Sequence, residues 1–159
     1  MSQQQVQVSA ARRLQPAPNS LPAILMRARE AVMTHVRPVL RAYEMTEPQW
    51  RVLRTLASIE EVEVTQLAEM VFLLPSSLSR ILKDLTDRGL IQRRASASDL
   101  RKGLVSISDD GMALIEAAAP EAAKVNCEIQ KLFGRERMNR LERLLEELEQ
   151  AVGPGRPGE

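Results

Sequence analysis

The sequence predicts a mainly α-helical fold with one small β-hairpin, and three observations support that prediction. Hydrophobic residues make up 44% of the 159-residue chain, so a packed core is feasible. Aromatic residues make up only 3%, so the core must be built from aliphatic side chains and methionine, as is usual where helices pack together. Apolar residues recur at helical spacing along most of the chain, except after Gly89, where residues 90–94 and 103–107 are typical of two short strands.

Two helices are predicted before the middle of the chain. Ser20 is a good N-cap, and Pro22 follows in the first turn, where its missing N–H costs nothing. The apolar spacing continues to about Arg41, with a bend expected from Pro38. Thr46 is expected to cap a second helix, whose predicted buried face consists of Trp50, Val52, Leu53 and Leu56.

The next two helices are predicted to be joined by a tight turn. A short third helix is expected to begin at its cap, Thr65, and residues 73–74 form the turn. Pro75 begins a fourth helix that runs to Arg88, and Gly89 supplies the left-handed residue beyond its end. The solvent-facing side of this helix is predicted to carry Ser76, Arg80, Lys83 and Asp87.

Two further helices are predicted after the hairpin. Ser108 is expected to cap the fifth, whose first turn contains two aspartates that suit the positive end of the helix dipole. The sixth helix, at about residues 135–150, carries an apolar stripe of Met138, Leu141, Leu144, Leu145 and Leu148. This stripe and the long first helix cannot bury their apolar faces on a small core, so a two-fold homodimer is expected.

The predicted order of elements, three helices followed by a two-stranded hairpin, is that of a winged helix-turn-helix. In this arrangement the second helix of the pair is held away from the body so that its N-terminal half can enter the DNA major groove. Ser76, Ser77 and Ser79 are short donors and acceptors that tolerate close approach to base edges, and Arg80 and Lys83 can reach a guanine or a phosphate. The alternative is an ordinary amphipathic surface helix.

The hairpin adds a second basic element to the predicted interface. From Arg80 to Lys102 there are seven basic residues against three acidic ones, within a chain of net charge +1. Arg101 at the tip can enter the minor groove, with Asp99 orienting its guanidinium. Arg93 and Arg94 alternate across the strand, so only one can face a given side. The hairpin residues assigned to DNA contact are Arg94, Asp99, Arg101 and Lys102; the alternative is a solvated charged turn.

The sequence resembles the MarR (multiple antibiotic resistance regulator) family over about residues 20–150. The motifs that carry the resemblance are GLI-x-R from Gly89, D-x-R from Asp99, and a hydrophobic residue followed by S-x-x-G at Ser108. The segment from Ala28 through the second helix further resembles regulators of homoprotocatechuate and related aromatic-acid degradation operons. The resemblance implies a homodimeric repressor that binds a pseudo-palindromic duplex operator, with the first, fifth and sixth helices interlocked.

The same resemblance implies a small aromatic carboxylate as effector. A carboxylate requires a cation, and the planar guanidinium of arginine matches it best. Arg29 is the first choice because it lies in the A-R-E segment shared with the subgroup, Arg27 is the second, and His35 and Trp50 are expected to line the apolar side. The alternatives are two solvated arginines and a histidine that belongs to the dimer interface.

The resulting domain division is a disordered tail over residues 1–19, a DNA-binding domain over 45–108, a dimerisation region formed by 20–44 with 109–152, and a second tail over 153–159.

The sequence contains one cysteine, Cys127, so an internal disulfide framework is ruled out. Cys127 is expected to be a packing residue. The alternative, a redox sensor, is disfavoured because the peroxide-sensing branch of the family carries its cysteine in the first helix.

Several classes of function are not supported by the sequence. One histidine, one cysteine and the lack of a glycine-rich phosphate loop give no nucleophile–base pair and no metal-ligand spacing, so no enzyme, cofactor or metal is expected. No apolar run has the length of a membrane span, and the N-terminus has no secretory pattern, so a cytoplasmic protein is expected. The remaining alternative is a winged-helix module used only for protein docking.

Overall fold

The fold is described from a computed structural model that covers residues 20–95 and 103–153. These ranges are mostly helical with one small antiparallel sheet, as predicted. The elements in chain order are α1 (Leu21–Ala42), α2 (Glu47–Leu56), β1 (Val62–Glu63), α3 (Val64–Met70), α4 (Pro75–Asp87), β2 (Ile91–Ala95), β3 (Gly103–Ile107), α5 (Asp109–Phe133) and α6 (Arg135–Val152).

The chain divides into two compact units at Pro38. In the first unit, α1 exposes most of its apolar side chains, among them Leu21, Ile24, Leu25, Met26 and Val32. The Ser20 carbonyl accepts the first helical hydrogen bond from Ile24 N–H, at 3.0 Å. The Ser20 hydroxyl, however, is buried without a hydrogen-bond partner among the described residues, so its predicted role as a side-chain cap is wrong.

The core of the second unit is formed by α2, α3, α4 and the sheet. Its fully buried large side chains are Val52, Leu53, Leu56, Leu67, Val71, Leu78, Leu82, Leu85 and Val105. The predicted inward positions of these helices are therefore largely confirmed. Trp50 differs, because its ring is only half-buried at the margin of this core.

The starts of α2 and α3 show one correct and one wrong prediction. Thr46 caps α2 in a reciprocal capping box, in which its hydroxyl accepts from Gln49 N–H at 3.4 Å and its own N–H donates to Gln49 Oε1 at 2.7 Å. Thr65 is not the cap of α3, because that helix already begins at Val64 with Glu63 as the N-cap residue.

This early start is linked to a strand that the sequence did not predict. Val62 and Glu63 form β1, which pairs antiparallel with β3 and gives the sheet order β1-β3-β2. The register places Val62 opposite Val105, and Arg93 lies opposite the same valine from the other side. A strand of two residues is too short to show the alternation of polar and apolar residues by which strands are recognised.

The junction between the hairpin and α5 is built around two glycines and one serine. Gly89 has φ +73°, the left-handed conformation predicted for the end of α4. The Ser108 hydroxyl donates to the Gly89 carbonyl at 2.6 Å and accepts from Gly111 N–H at 3.0 Å, which confirms Ser108 as the cap of α5. A Cβ on Gly111 would lie 2.1 Å from the Leu90 carbonyl oxygen. The first turn of α5 therefore packs directly on the backbone that begins β2.

Helix α6 begins after Gly134, which has φ +97°. None of its residues is buried within the chain. Leu144 of the predicted stripe is 50% exposed, and Leu141 and Leu145 are each 39% exposed. The apolar stripe of α6 therefore exists, but the single chain does not cover it.

Gly111→Ala should destabilise the protein by on the order of 3 kcal/mol, because the methyl group cannot fit against the Leu90 carbonyl without moving α5 or β2. Gly103→Ala is the matched control, since among the described residues its Cβ would meet only Val64 Cγ2, at an ordinary 3.5 Å. Urea denaturation at one fixed protein concentration measures both variants. Equal stability of the two would show that the contact at Gly111 can relax.

Candidate nucleic-acid interface

Helices α3 and α4 form the helix-turn-helix pair, and residues 71–74 connect them. In the turn, Phe72 N–H donates to the Glu69 carbonyl at 3.2 Å and Leu73 N–H to the Ala68 carbonyl at 3.0 Å. Phe72 itself has φ +51°, which reverses the chain direction without a glycine. Arg51 of α2 supports the turn by donating from Nη1 to the Val71 carbonyl at 2.9 Å, a role that the sequence did not reveal.

Helix α4 is fixed on one side and open on the other. Leu78, Leu82 and Leu85 anchor its inner face in the core. Two polar contacts add to this anchorage: Gln49 Nε2 donates to Asp84 Oδ2 at 2.6 Å, and Arg88 Nη1 donates to the Glu44 carbonyl at 3.0 Å. The predicted contact residues Ser76, Ser77, Ser79, Arg80 and Lys83 are all exposed on α4.

The two basic side chains of this face differ in their surroundings. Lys83 Nζ lies 2.7 Å from Asp87 Oδ2, and this hydrogen bond raises the pKa of the lysine above its ordinary value. Arg80 makes no ion pair with another residue of the described ranges. Arg80 is therefore the more available of the two cations for an external anion.

The start of α4 is favourable for a polyanion. Its first turn contains no acidic residue, which is also the case in α1 and α3, whereas α2 has Glu47 and α5 has Asp109 and Asp110 in theirs. An acidic residue at this place would stabilise the helix dipole but repel phosphate. The positive end of α4 is thus not neutralised by its own side chains.

On the hairpin, the structure brings Arg94 together with Glu61, an acid thirty-three positions away in the sequence. Arg94 Nε and Nη2 donate to Glu61 Oε1 and Oε2 at 2.7 and 2.5 Å, a bidentate pair across the sheet. The Arg94 side chain is 58% exposed and that of Glu61 24% exposed. Glu61 could not be found from the sequence, because it adjoins the short strand β1. The other hairpin contact residues, Asp99, Arg101 and Lys102, lie outside the described residues.

Three of the proposed effector-binding residues lie on α1. Arg27, Arg29 and His35 are all exposed there. The Arg29 guanidinium contacts the carboxylate of its neighbour Glu30 at 3.0 Å, and Arg37 contacts the same carboxylate at 2.7 Å. The hydrogen bond from Arg37 lowers the pKa of Glu30. The fourth residue, Trp50, lies half-buried on α2 in the other unit.

The remaining features bear on other classes of site. Cys127 is exposed on α5, so its expected role as a packing residue within the chain is wrong. Within residues 20–95 and 103–153, no cluster of three or more His, Cys, Asp or Glu residues could hold a metal ion. No helix in those ranges has both the length and the apolar character that crossing a membrane requires.

The helix pair and its adjoining antiparallel hairpin define a winged helix-turn-helix protein. The MarR family model matches residues 45–102. The homoprotocatechuate degradative operon repressor of Escherichia coli is 35% identical over 129 residues, which are 81% of this chain and 87% of that protein. The chain belongs to the MarR family, as the motifs at Gly89, Asp99 and Ser108 implied.

Solved structures agree with this assignment. The crystal structure of the transcriptional regulator PA4135 superimposes with a TM-score of 0.82 at 34% identity, covering 88% of this chain and all of that one. The crystal structure of NadR in complex with 4-hydroxyphenylacetate gives a TM-score of 0.71 at 34% identity, covering 84% of this chain and 95% of that one.

Proposed function

We propose that this protein is a homodimeric transcriptional repressor of an aromatic-compound catabolic operon, released from its operator by a small aromatic acid. The observation that carries the proposal is the exposed, serine-rich face of α4, which three buried leucines anchor and whose first turn lacks acids. The similarity to a degradative operon repressor supports the operon class. A repressor of this kind acts in the cytoplasm and requires no cofactor.

In this proposal residues 45–108 contact DNA, and residues 20–44 and 109–152 form the dimer. The predicted tails, residues 1–19 and 153–159, lie outside the described residues apart from Gly153. The N-terminal half of α4 enters the major groove, where Ser76, Ser77 and Ser79 approach base edges. Arg80 and Lys83 contact guanine or phosphate. The hairpin contributes Arg94, Asp99, Arg101 and Lys102, with Arg101 in the minor groove. Two such DNA-binding domains related by two-fold symmetry fit a pseudo-palindrome with half-sites about one helical turn apart.

Arg80→Ala should weaken binding to a duplex selected from random DNA and lower the slope of log affinity against log salt by about one, because one phosphate-directed cation is lost. Arg101→Ala should have the same effect. Arg140→Ala on α6 removes an equal charge outside the DNA-binding domain and should leave the slope unchanged. If wild type shows no salt-dependent gel shift on any duplex, the protein-docking module becomes the better interpretation.

The dimer follows from apolar surface that one chain leaves uncovered. Helix α6 buries no residue, and α1 exposes several large apolar side chains. A monomer with both faces in water would be prone to aggregation, because apolar patches of this kind are normally interfaces. A second copy of the chain supplies an identical face under two-fold symmetry.

Leu144→Glu should therefore convert the dimer to monomers or aggregates, since it places a carboxylate within the apolar stripe of α6. Asn139→Glu is the matched control, because it adds the same charge on the opposite side of α6. Analytical ultracentrifugation of the full chain measures both. A Leu144→Glu protein that sediments as a stable dimer would rule out this face as the interface.

The effector is proposed to bind through Arg29, with Arg27 as the second candidate and with His35 and Trp50 at the apolar side. The support is chemical: Arg29 is an exposed arginine of α1, and a planar guanidinium is the side-chain group that best matches a ligand carboxylate. NadR, at 34% identity, was crystallised with 4-hydroxyphenylacetate. A ligand that favours one spacing of the two α4 helices changes DNA affinity, and DNA changes ligand affinity by the same factor.

Arg29→Ala should abolish calorimetric binding of 4-hydroxyphenylacetate and related aromatic acids while DNA affinity stays intact. Arg41→Ala, another exposed arginine of α1, serves as the control and should bind the acids as wild type does. Loss of binding only in Arg27→Ala would move the assignment to that residue. If no aromatic acid binds wild type at millimolar concentration, the effector class is wrong while the DNA-binding proposal stands.

A further inference from the structure

The turn that precedes α4 presents an unusual set of exposed apolar side chains. Met70 is 47% exposed, Phe72 81% and Leu74 72%, while Val71 between the first two is fully buried. Between the three exposed residues lie Val71, which is buried, and Leu73, which is half-buried. We call Met70, Phe72 and Leu74 the apolar lip.

Two members of the lip occupy positions that are unfavourable for stability. Phe72 adopts φ +51°, a left-handed conformation that a bulky residue rarely takes and that is strained. Leu74 is the N-cap residue of α4 and makes no side-chain cap bond, although Ser, Thr, Asp or Asn is strongly preferred there. Residues that break local rules in this way are expected where a binding site requires them.

We propose that the apolar lip is a specificity element that reads thymine, with the Leu74 side chain packed against the C5-methyl group of a thymine in the major groove. This inference rests on the proposed DNA-binding function and names a base that the site selects. Leu74 is only two residues from Ser76, so the lip is continuous with the face assigned to base edges. Among base edges in the major groove, the thymine methyl is the apolar group, and it matches a side chain that can neither donate nor accept.

A general protein-docking patch would not account for the position of the apolar lip. Leu74 directly precedes the first turn of α4, which carries no acid, and that helix exposes Ser76, Ser77 and Arg80. Phe72, two residues before Leu74 and also exposed, adds apolar surface that bound duplex DNA would remove from solvent. The occupant is therefore duplex DNA, and capture of a protein partner through this patch would be a different outcome.

The test uses the duplex that the full-length protein selects from a random pool. Each thymine is replaced in turn by deoxyuridine, which pairs identically and lacks only the C5-methyl group. At one thymine position in each half-site, wild type should lose about fourfold in affinity per half-site, the effect of exposing one methyl-sized group. Deoxyuridine at the other thymines of the same duplex is the internal control.

Protein variants then identify the side chain that reads the methyl. The Leu74→Ala variant should bind the thymine-containing duplex more weakly than wild type does. Its affinity should not fall further when that thymine is replaced by deoxyuridine. Leu74→Met, which keeps an apolar side chain of similar volume, should retain the sensitivity. Leu74→Asn should lose it while raising the melting temperature by about 2–4 °C, because asparagine is a better N-cap residue.

The outcomes separate this inference from the function on which it rests. If wild type selects no duplex, the DNA-binding proposal itself fails. If a duplex is selected but the deoxyuridine and Leu74→Ala losses simply multiply, Leu74 does not contact the methyl and the inference is overturned. A Leu74→Asn protein that keeps full methyl sensitivity would overturn it as well.

Discussion

The close packing of Gly111 against the Leu90 carbonyl is the constraint on which the DNA-binding half depends. Leu90 directly follows the left-handed Gly89 that ends α4, and Gly111 lies in the first turn of α5. Ser108 joins the two segments by bonding to both glycines. The end of α4, the base of the hairpin and the start of α5 therefore meet at one point. The GLI motif supplies Leu90 to this contact, and the S-x-x-G motif supplies Gly111.

Because the junction between Gly111 and Leu90 is fixed, the N-terminal end of α4 and the turn before it can carry residues that are unfavourable for stability. Helix α4 is anchored by buried leucines, by Gln49 to Asp84 and by Arg88 to the Glu44 carbonyl. Its start needs no good cap, and the preceding turn tolerates Phe72 at positive φ with support from Arg51. Stability is thus concentrated on the inner face and at the C-terminal end, which leaves the N-terminal end of α4 free to be shaped for binding.

Much of this architecture could be predicted from the sequence, because it depends on local signals. Thr46, Ser108 with two aspartates, Pro75 and Gly89 each mark a helix end by a physical rule that acts within a few residues. The unpredicted features depend on contacts that are distant in sequence. Strand β1 exists because Val62 meets Val105, and Arg94 meets Glu61 across thirty-three positions. No local pattern encodes such pairs.

The Arg94–Glu61 pair also reduces the amount of basic charge that is available to bind DNA. Counted along the sequence, the segment from Arg80 to Lys102 is strongly basic. In the folded DNA-binding domain, Lys83 is paired with Asp87, Arg88 with Asp84 and Arg94 with Glu61, so three of those charges are already compensated by neighbours. A compensated cation releases fewer counterions from DNA than an uncompensated one. Affinity must then depend less on total charge than on where the remaining charge lies. On α4 that charge is Arg80, one turn along from the exposed serines, so position rather than net charge makes this face suitable for reading a groove.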